Sequence, residues 1–385
     1  MVMDSNVIKK IKFMIFLLPI TISSASANYL FFTGFFKKNI SKLDISNYIF
    51  VVWMVFSCSL SIIVFSDEYS VALKKILSLV GFCGMVLFSS QLNKNDLKKV
   101  LDAVVYASLL YSIWILYNIA FQPSLSFSNL YYLKKGLRNF VTDWPQRYVI
   151  LLIPAFLIVF ERCLNRLKII NVLQVVILLV TIFFTFTRAA YLSMIISLIV
   201  YMFSLLCVKE SAKAFKMFIW LIFVTFMVVV FYSPAKEMII LLLGRILSVA
   251  ISLMGGAGAG EASVNDRLFF WAIALDILNG WKSLVGAGGG VYLYTNETGS
   301  LHSQYVDIFF RYGIIGLSIF VWITVVSLYR YRKSPLILAI LCSLIMYGFF
   351  HETVKLTYGG LLYFSIIGCS RYEINSVFRH KVKMA

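Results

Sequence analysis

The sequence predicts an all-α integral membrane protein that crosses the bilayer about twelve times. Of its 385 residues, 61% are hydrophobic and 14% charged, whereas ordinary soluble domains are about 45–50% apolar and about 25% charged. The excess apolar surface has to face lipid. The apolar runs are long and continuous rather than alternating, which selects helices over a closed barrel, the only other architecture that satisfies every backbone polar group inside lipid. Lys and Arg gather in short clusters in every second loop, as the positive-inside rule requires of cytoplasmic segments.

The opening run, 12–36, lies between Lys9/Lys10/Lys12 and Lys37/Lys38/Lys42. Both clusters read as cytoplasmic, so this run crosses an even number of times. Two short crossings broken near Pro19 and Ser23–Ser26 meet that requirement; a single crossing would give eleven and misplace one end. The run lacks a clear A-x-A cleavage site, so no signal peptide is expected to be removed. Further runs follow at 46–66, 75–92, 100–121, 148–161, 168–187, 189–208 and 216–233. Some fall short of the roughly 20 residues of a straight span and are expected to extend into flanking polar residues. Residues 1–233 thus hold transmembrane helices 1–9, with a basic periplasmic loop at 122–147. A large periplasmic loop, 234–303, separates them from helices 10–12 and a cytoplasmic tail in 304–385. Lys94/Lys98/Lys99, Arg162/Arg166/Lys168, Lys209/Lys213/Lys216, Arg330/Arg332/Lys333 and the tail Arg371/Arg379/Lys381/Lys383 fix the cytoplasmic side.

The large loop starts with an apolar stretch, 236–253, expected to lie at the interface. A glycine-rich hinge spans 255–260. Ser263 then reads as the cap of a second helix, with Asp266 three residues on as in a capping box, running to about Gly280. Arg267, Trp271 and Leu275 share one face of it.

The net charge of +18 would suggest nucleic acid in a soluble protein. Placed as topology signals, it does not, and no nucleic-acid partner is expected. The six cysteines, Cys58, Cys83, Cys163, Cys207, Cys342 and Cys369, show no metal spacing and read as small buried hydrophobes. No carboxylate cluster suggests a metal, and no cofactor is expected.

Some polar residues stand outside the topology pattern. Arg188, in Thr185-Phe186-Thr187-Arg188-Ala189-Ala190, sits between two apolar runs at their outer junction. An arginine so close to hydrocarbon needs a partner, either headgroups reached by snorkelling or an anion in a cavity, whose phosphate a guanidinium grips in two-pronged fashion. Arg267 is a second candidate, against a plain solvated helix face. His302 ends the large loop directly before a membrane helix, where an imidazole can exchange protons near neutral pH. Gly286-Ala287-Gly288-Gly289-Gly290 looks like a phosphate loop but lacks the following Gly-Lys-Ser/Thr, so a tight turn or close backbone approach is expected. Ser303 is not in an elbow motif. His351-Glu352 ends another helix on the outer side, either in the site or capping it. The combination of outer-face arginines and a histidine suits transfer from a lipid diphosphate: arginines neutralise the leaving group and histidine takes a proton from an acceptor hydroxyl.

These residues also carry a resemblance. His302-Ser303, nine residues, Gly313, two residues, Gly316 resembles the H-[NSQ]-x9-G-x2-G signature of the O-antigen ligase and polymerase superfamily. Thr187-Arg188-Ala189 resembles its T-R-[AG] motif. Arg267-x3-Trp271 with Leu284-Val285-Gly286-Ala287-Gly288 resembles its R-x3-W … hxGxG stretch. The motifs cover roughly 180–320, and the topology covers the whole chain. The resemblance implies an inverting, metal-independent glycosyltransferase of the GT-C kind in the bacterial inner membrane, with its site facing the periplasm. It implies an undecaprenyl-diphosphate-linked glycan as substrate, membrane lipids around the protein and a chain-length regulator protein as a partner. Arg188, Arg267 and His302 would be catalytic. Arg138, Arg147, Arg245 and Glu352 would bind diphosphate or glycan.

Two activities share these parts: a Wzy-type polymerase extends lipid-linked repeat units, and a WaaL-type ligase moves the finished glycan to lipid A core. The stretch between Arg267 and His302 (268–301) holds only 34 residues, which favours the polymerase. A polysaccharide flippase or other transporter is the remaining alternative; it would carry ionisable residues at mid-membrane depth and internal repeats, whereas the notable charges read here lie near the outer ends of the runs and no repeat is seen.

Overall fold

Helix boundaries follow the local chemistry more than the hydropathy. In the computed structural model, residues 45–65, 69–121, 145–185, 187–220, 261–288, 301–354 and 357–371 are described, and all regular structure among them is helical. The labelled helices are α1 (Ile45–Val64), α2 (Tyr69–Ser90), α3 (Lys94–Phe121), α4 (Pro145–Asn165), α5 (Ile169–Phe184), α6 (Arg188–Cys207), α7 (Glu261–Ile277), α8 (Lys282–Val285), α9 (Gln304–Arg330), α10 (Pro335–Gly348) and α11 (Thr357–Cys369). A further helical stretch covers 211–220. α3 starts six residues before its apolar run because Asn93 caps it: its Oδ1 accepts from the Asp96 N–H at 2.9 Å. The basic cluster Lys94/Lys98/Lys99 therefore rides on helix rather than loop. α4 and α10 begin with proline, whose missing N–H costs nothing in the first turn.

Among the described residues, five helices are long and apolar enough to cross a membrane: Ser46–Val64, Lys94–Tyr117, Tyr148–Asn165, Ala189–Cys207 and Gln304–Arg330. The shorter apolar helices are Lys75–Ser90, Ile169–Phe184, Pro335–Gly348 and Tyr358–Cys369. The run 12–36, most of 216–233 and the stretch 236–253 lie outside the described residues.

α4 is the hub. Tyr148 to Phe160 is buried without interruption, and α3, α5, α6, α10 and α11 pack around it. The outer helices are the reverse of soluble ones. On α1, Tyr48, Val52, Val55, Phe56 and Ile63 are exposed, while Ser57 and Ser61 are buried. Exposed apolar and buried small polar residues are what a lipid-facing helix presents. Of the cysteines, Cys58, Cys83, Cys163 and Cys369 are buried as expected, whereas Cys207 is exposed at the end of α6.

The bundle has two unlike ends. One gathers the basic clusters. There Arg162 Nη2 meets Asp102 at 2.6 Å, Lys213 Nζ meets Glu161 at 3.1 Å, and Arg330 Nη1 donates to Ser370 Oγ at 3.1 Å. The other end holds α7, α8 and the turn before α9 over a small separate core of Ala274, Leu278, Ala287, Leu301 and Phe310.

Candidate functional site

The site is built on a break in α9. Gly313 has φ 68° and ψ −176°, so the helix is interrupted two turns below its start. A break frees carbonyls that would otherwise accept from the next turn, and buried carbonyls need partners. Each finds one. The Phe310 carbonyl accepts from the Ala287 N–H at 2.7 Å, and the Arg311 carbonyl from the Gly288 N–H at 2.8 Å. The Tyr312 carbonyl takes the Trp53 indole N–H at 2.8 Å. Ser57 Oγ donates to the Val285 carbonyl and lies 3.5 Å from the Arg311 carbonyl.

The glycine-rich segment 286–288 is thus a backbone splice against α9, not a phosphate cradle. Gly286 has φ 80°, and a Cβ there would press into the Arg311 backbone at 2.5 Å. A Cβ at Gly313 would in turn collide with the Leu284 carbonyl. The two glycine motifs that the sequence shows as separate signals are one interlock. Gly289 and Gly290 lie outside the described residues.

α7 begins at Glu261, immediately after the glycine stretch. Ser263 therefore lies in the first turn and does not cap the helix, a correction to the capping-box reading. The helix ends at Ile277, short of Gly280. Along its expected common face, Trp271 packs into the small core while Leu275 is exposed.

The turn carrying His302 is clamped on both sides. His302 has φ 52°, in the left-handed region that non-glycine residues seldom occupy. The Leu301 carbonyl before it accepts from Trp271 Nε1 at 2.8 Å, and the Leu301 N–H donates to Glu352 Oε1 at 2.6 Å. After it, Gln304 Oε1 accepts from the N–H groups of Thr353 and Val354 at 3.1 and 2.9 Å. The segments 301–304 and 351–354 thus strap each other, and a strained conformation persists only when its surroundings over-determine it. Trp271 of the R-x3-W motif acts on the His302 turn directly. Glu352 touches the same turn. The neighbouring His351 stacks on Tyr347 at 4.7 Å. Ser303 is buried at the N-cap of α9.

Arg188 is the first residue of α6, joined to α5 by a short turn. Thr187 occupies the cap position, but its hydroxyl donates to the Thr185 carbonyl at 3.0 Å, and no side chain caps the helix. Tyr191 OH reaches back to the Phe183 carbonyl at 2.5 Å and fixes the hairpin. Arg267 sits on α7 one turn before Trp271, and Arg147 near the start of α4. Arg138 and Arg245 lie outside the described residues.

Two buried cations were not singled out by the sequence. Arg311 Nε donates to both Asp307 oxygens at 2.8 Å, an i,i+4 pair inside α9. Lys75 on α2 is 1% exposed, with its Nζ 5.3 Å from the Phe65 ring. Lys282 approaches the same ring at 5.0 Å. The signals were present: Asp and Arg four apart within a span, and a lysine two turns into an apolar helix. Among the described residues, no three His, Cys, Asp or Glu side chains are grouped to hold a metal.

Residues 173–321, which run from α5 through the break in α9, match a family model described as O-antigen ligase. No curated protein matches the chain.

Proposed function

We propose that the chain, whose residues 173–321 match the O-antigen ligase family model, polymerises undecaprenyl-diphosphate-linked repeat units of O-antigen or a related surface polysaccharide on the periplasmic face. The observation that carries this is the clamp on His302. A polar turn in a strained conformation, fixed from α7, α9 and the 351–354 segment, is costly to build for packing alone.

In the proposed step, the hydroxyl of an incoming lipid-linked unit attacks the anomeric carbon of the growing glycan. The bond from that carbon to the diphosphate oxygen breaks with inversion, and undecaprenyl diphosphate leaves with the electron pair. His302 accepts the hydroxyl proton. Arg188 and Arg267 offset the charge developing on the diphosphate, with Arg138, Arg147 and Arg245 as further basic contacts for diphosphate or glycan. The first turn of α6, which starts at Arg188, supports an anion there because its dipole is positive at that end. The step draws on no cofactor or metal. A chain-length regulator is the proposed protein partner, and the twelve-crossing GT-C architecture is the proposed frame.

His302→Ala and Arg188→Ala are expected to abolish glycan extension while the protein still inserts, read from lipopolysaccharide gels alongside membrane accumulation. Normal long chains in both variants would refute the mechanism. A gene deletion separates the two superfamily activities. Core carrying one repeat unit identifies a polymerase. Bare core with accumulated lipid-linked polymer would reassign the protein as the ligase.

A further inference from the structure

The Asp307–Arg311 pair is buried, with side chains 7% and 9% exposed. A carboxylate usually grips the two-pronged edge of a guanidinium through parallel N–H bonds. Here both carboxylate oxygens sit on Nε alone. Among the described residues, the terminal amino groups of Arg311 make no hydrogen bond. Those terminal nitrogens are not among the sealed, unsatisfied side-chain atoms of the described residues, so an incoming acceptor can reach them, and an arginine inside a span is costly to hold without one. Asp307 keeps the charge in place without using the end of the side chain that recognises oxyanions.

Position points the same way. Arg311 lies seven residues into α9, about 10 Å below its start at 1.5 Å per residue. Its backbone carbonyl is under the Gly288 N–H. Glu352, which holds the residue before His302, is the other carboxylate whose field acts on Arg311. The guanidinium therefore belongs to the neighbourhood of the His302 turn.

We propose that Arg311 is a phosphate-binding residue of the transfer site, its terminal amino groups receiving phosphoryl oxygens of the lipid-linked donor while Asp307 holds the side chain in register. The inference rests on the diphosphate-transfer reading.

The test uses the full-length protein in lipid nanodiscs, with inorganic pyrophosphate as the probe in calorimetry and lipid-linked repeat units in a turnover assay. Asp307→Asn with Arg311→Met removes both charges together, so no lone buried charge is left to unfold the bundle. This double variant is expected to accumulate normally, to bind pyrophosphate at least tenfold more weakly, and to show a KM for the lipid-linked donor raised by a similar factor. Wild-type pyrophosphate affinity in the double variant would overturn the proposal. Should that variant fail to accumulate, Arg311→Lys keeps the charge beside Asp307 but loses the fork. Weaker pyrophosphate binding is again expected, and unchanged affinity again overturns it. Pyrophosphate binding that is lost in Arg188→Ala but kept in these variants removes Arg311 alone. A wild-type protein that binds no pyrophosphate removes the diphosphate reading with it.

Discussion

The two ends of the bundle handle charge in opposite ways. At the basic end, Lys213 and Arg162 meet carboxylates near the surface, at 3.1 and 2.6 Å. Such pairs contribute about 0–1 kcal/mol each; what they supply is orientation. At the His302 end, charges are fewer and more deeply set, and many of the polar contacts end on backbone. Trp53, Ser57 and Trp271 each donate to a main-chain carbonyl, and Glu352 and Gln304 accept from main-chain N–H groups. The first end tolerates variation because it needs only the sign of its charge. The second depends on particular atoms.

That contrast can be broken most severely at the interlock. Gly313→Val should prevent accumulation of folded protein. It puts a β-branched residue at positive φ and drives a Cβ into the Leu284 carbonyl, at a cost of roughly 3 kcal/mol or more. Size-exclusion of a fluorescent fusion reads the outcome, and a normal monodisperse peak would mean the interlock is dispensable. A smaller effect is expected one layer out, at the clamp. Trp271→Phe keeps the packing but removes the indole N–H from the Leu301 carbonyl. Losing a buried hydrogen bond costs about 1–2 kcal/mol, so turnover should fall about five- to thirtyfold with little change in accumulation. At Glu352 the accepting oxygen matters for the Leu301 N–H. Glu352→Gln should therefore retain most activity and Glu352→Leu lose most of it. Equal loss in both would assign the carboxylate charge a direct part in binding. The smallest effect is expected at the basic end: Lys213→Ala should leave turnover unchanged and stability within about 1 kcal/mol by thermal melting. A large loss there would erase the distinction between the ends.

Much of the frame was legible in the sequence because lipid imposes long apolar runs, and helices stand where most of those runs were read. The positions of Arg188 and His302 at helix ends were also legible, since each is a polar residue bordering an apolar run; their roles remain part of the proposal. The interlock was not. Gly313 within an apolar run was a visible signal, but the partners of its freed carbonyls, Trp53 and Ser57 on α1, look like ordinary residues of a membrane helix. Backbone acceptors leave no trace in sequence. Asp307 and Arg311 escaped notice because an i,i+4 pair reads as routine helix chemistry until burial shows that water is excluded. Reading Ser263 as the cap starts α7 three residues late, because the capping pattern at Ser263 and Asp266 outweighs the simpler option of a helix beginning directly after glycine.

The contacts between α1 and the break in α9 also bear on the order of assembly. Trp53 and Tyr312 are 259 positions apart, and Ser57 is 228 from Val285. Local helices form early, but closures of this span must wait for distant segments. During synthesis α1 is made long before its partners exist, and the His302 turn is completed only when α9 and the 351–354 segment have followed. A chain truncated before residue 351 would hold most of the described helices but lack the Glu352, Thr353 and Val354 contacts to 301–304, so the clamp on the His302 turn closes only when nearly the whole polypeptide has been made.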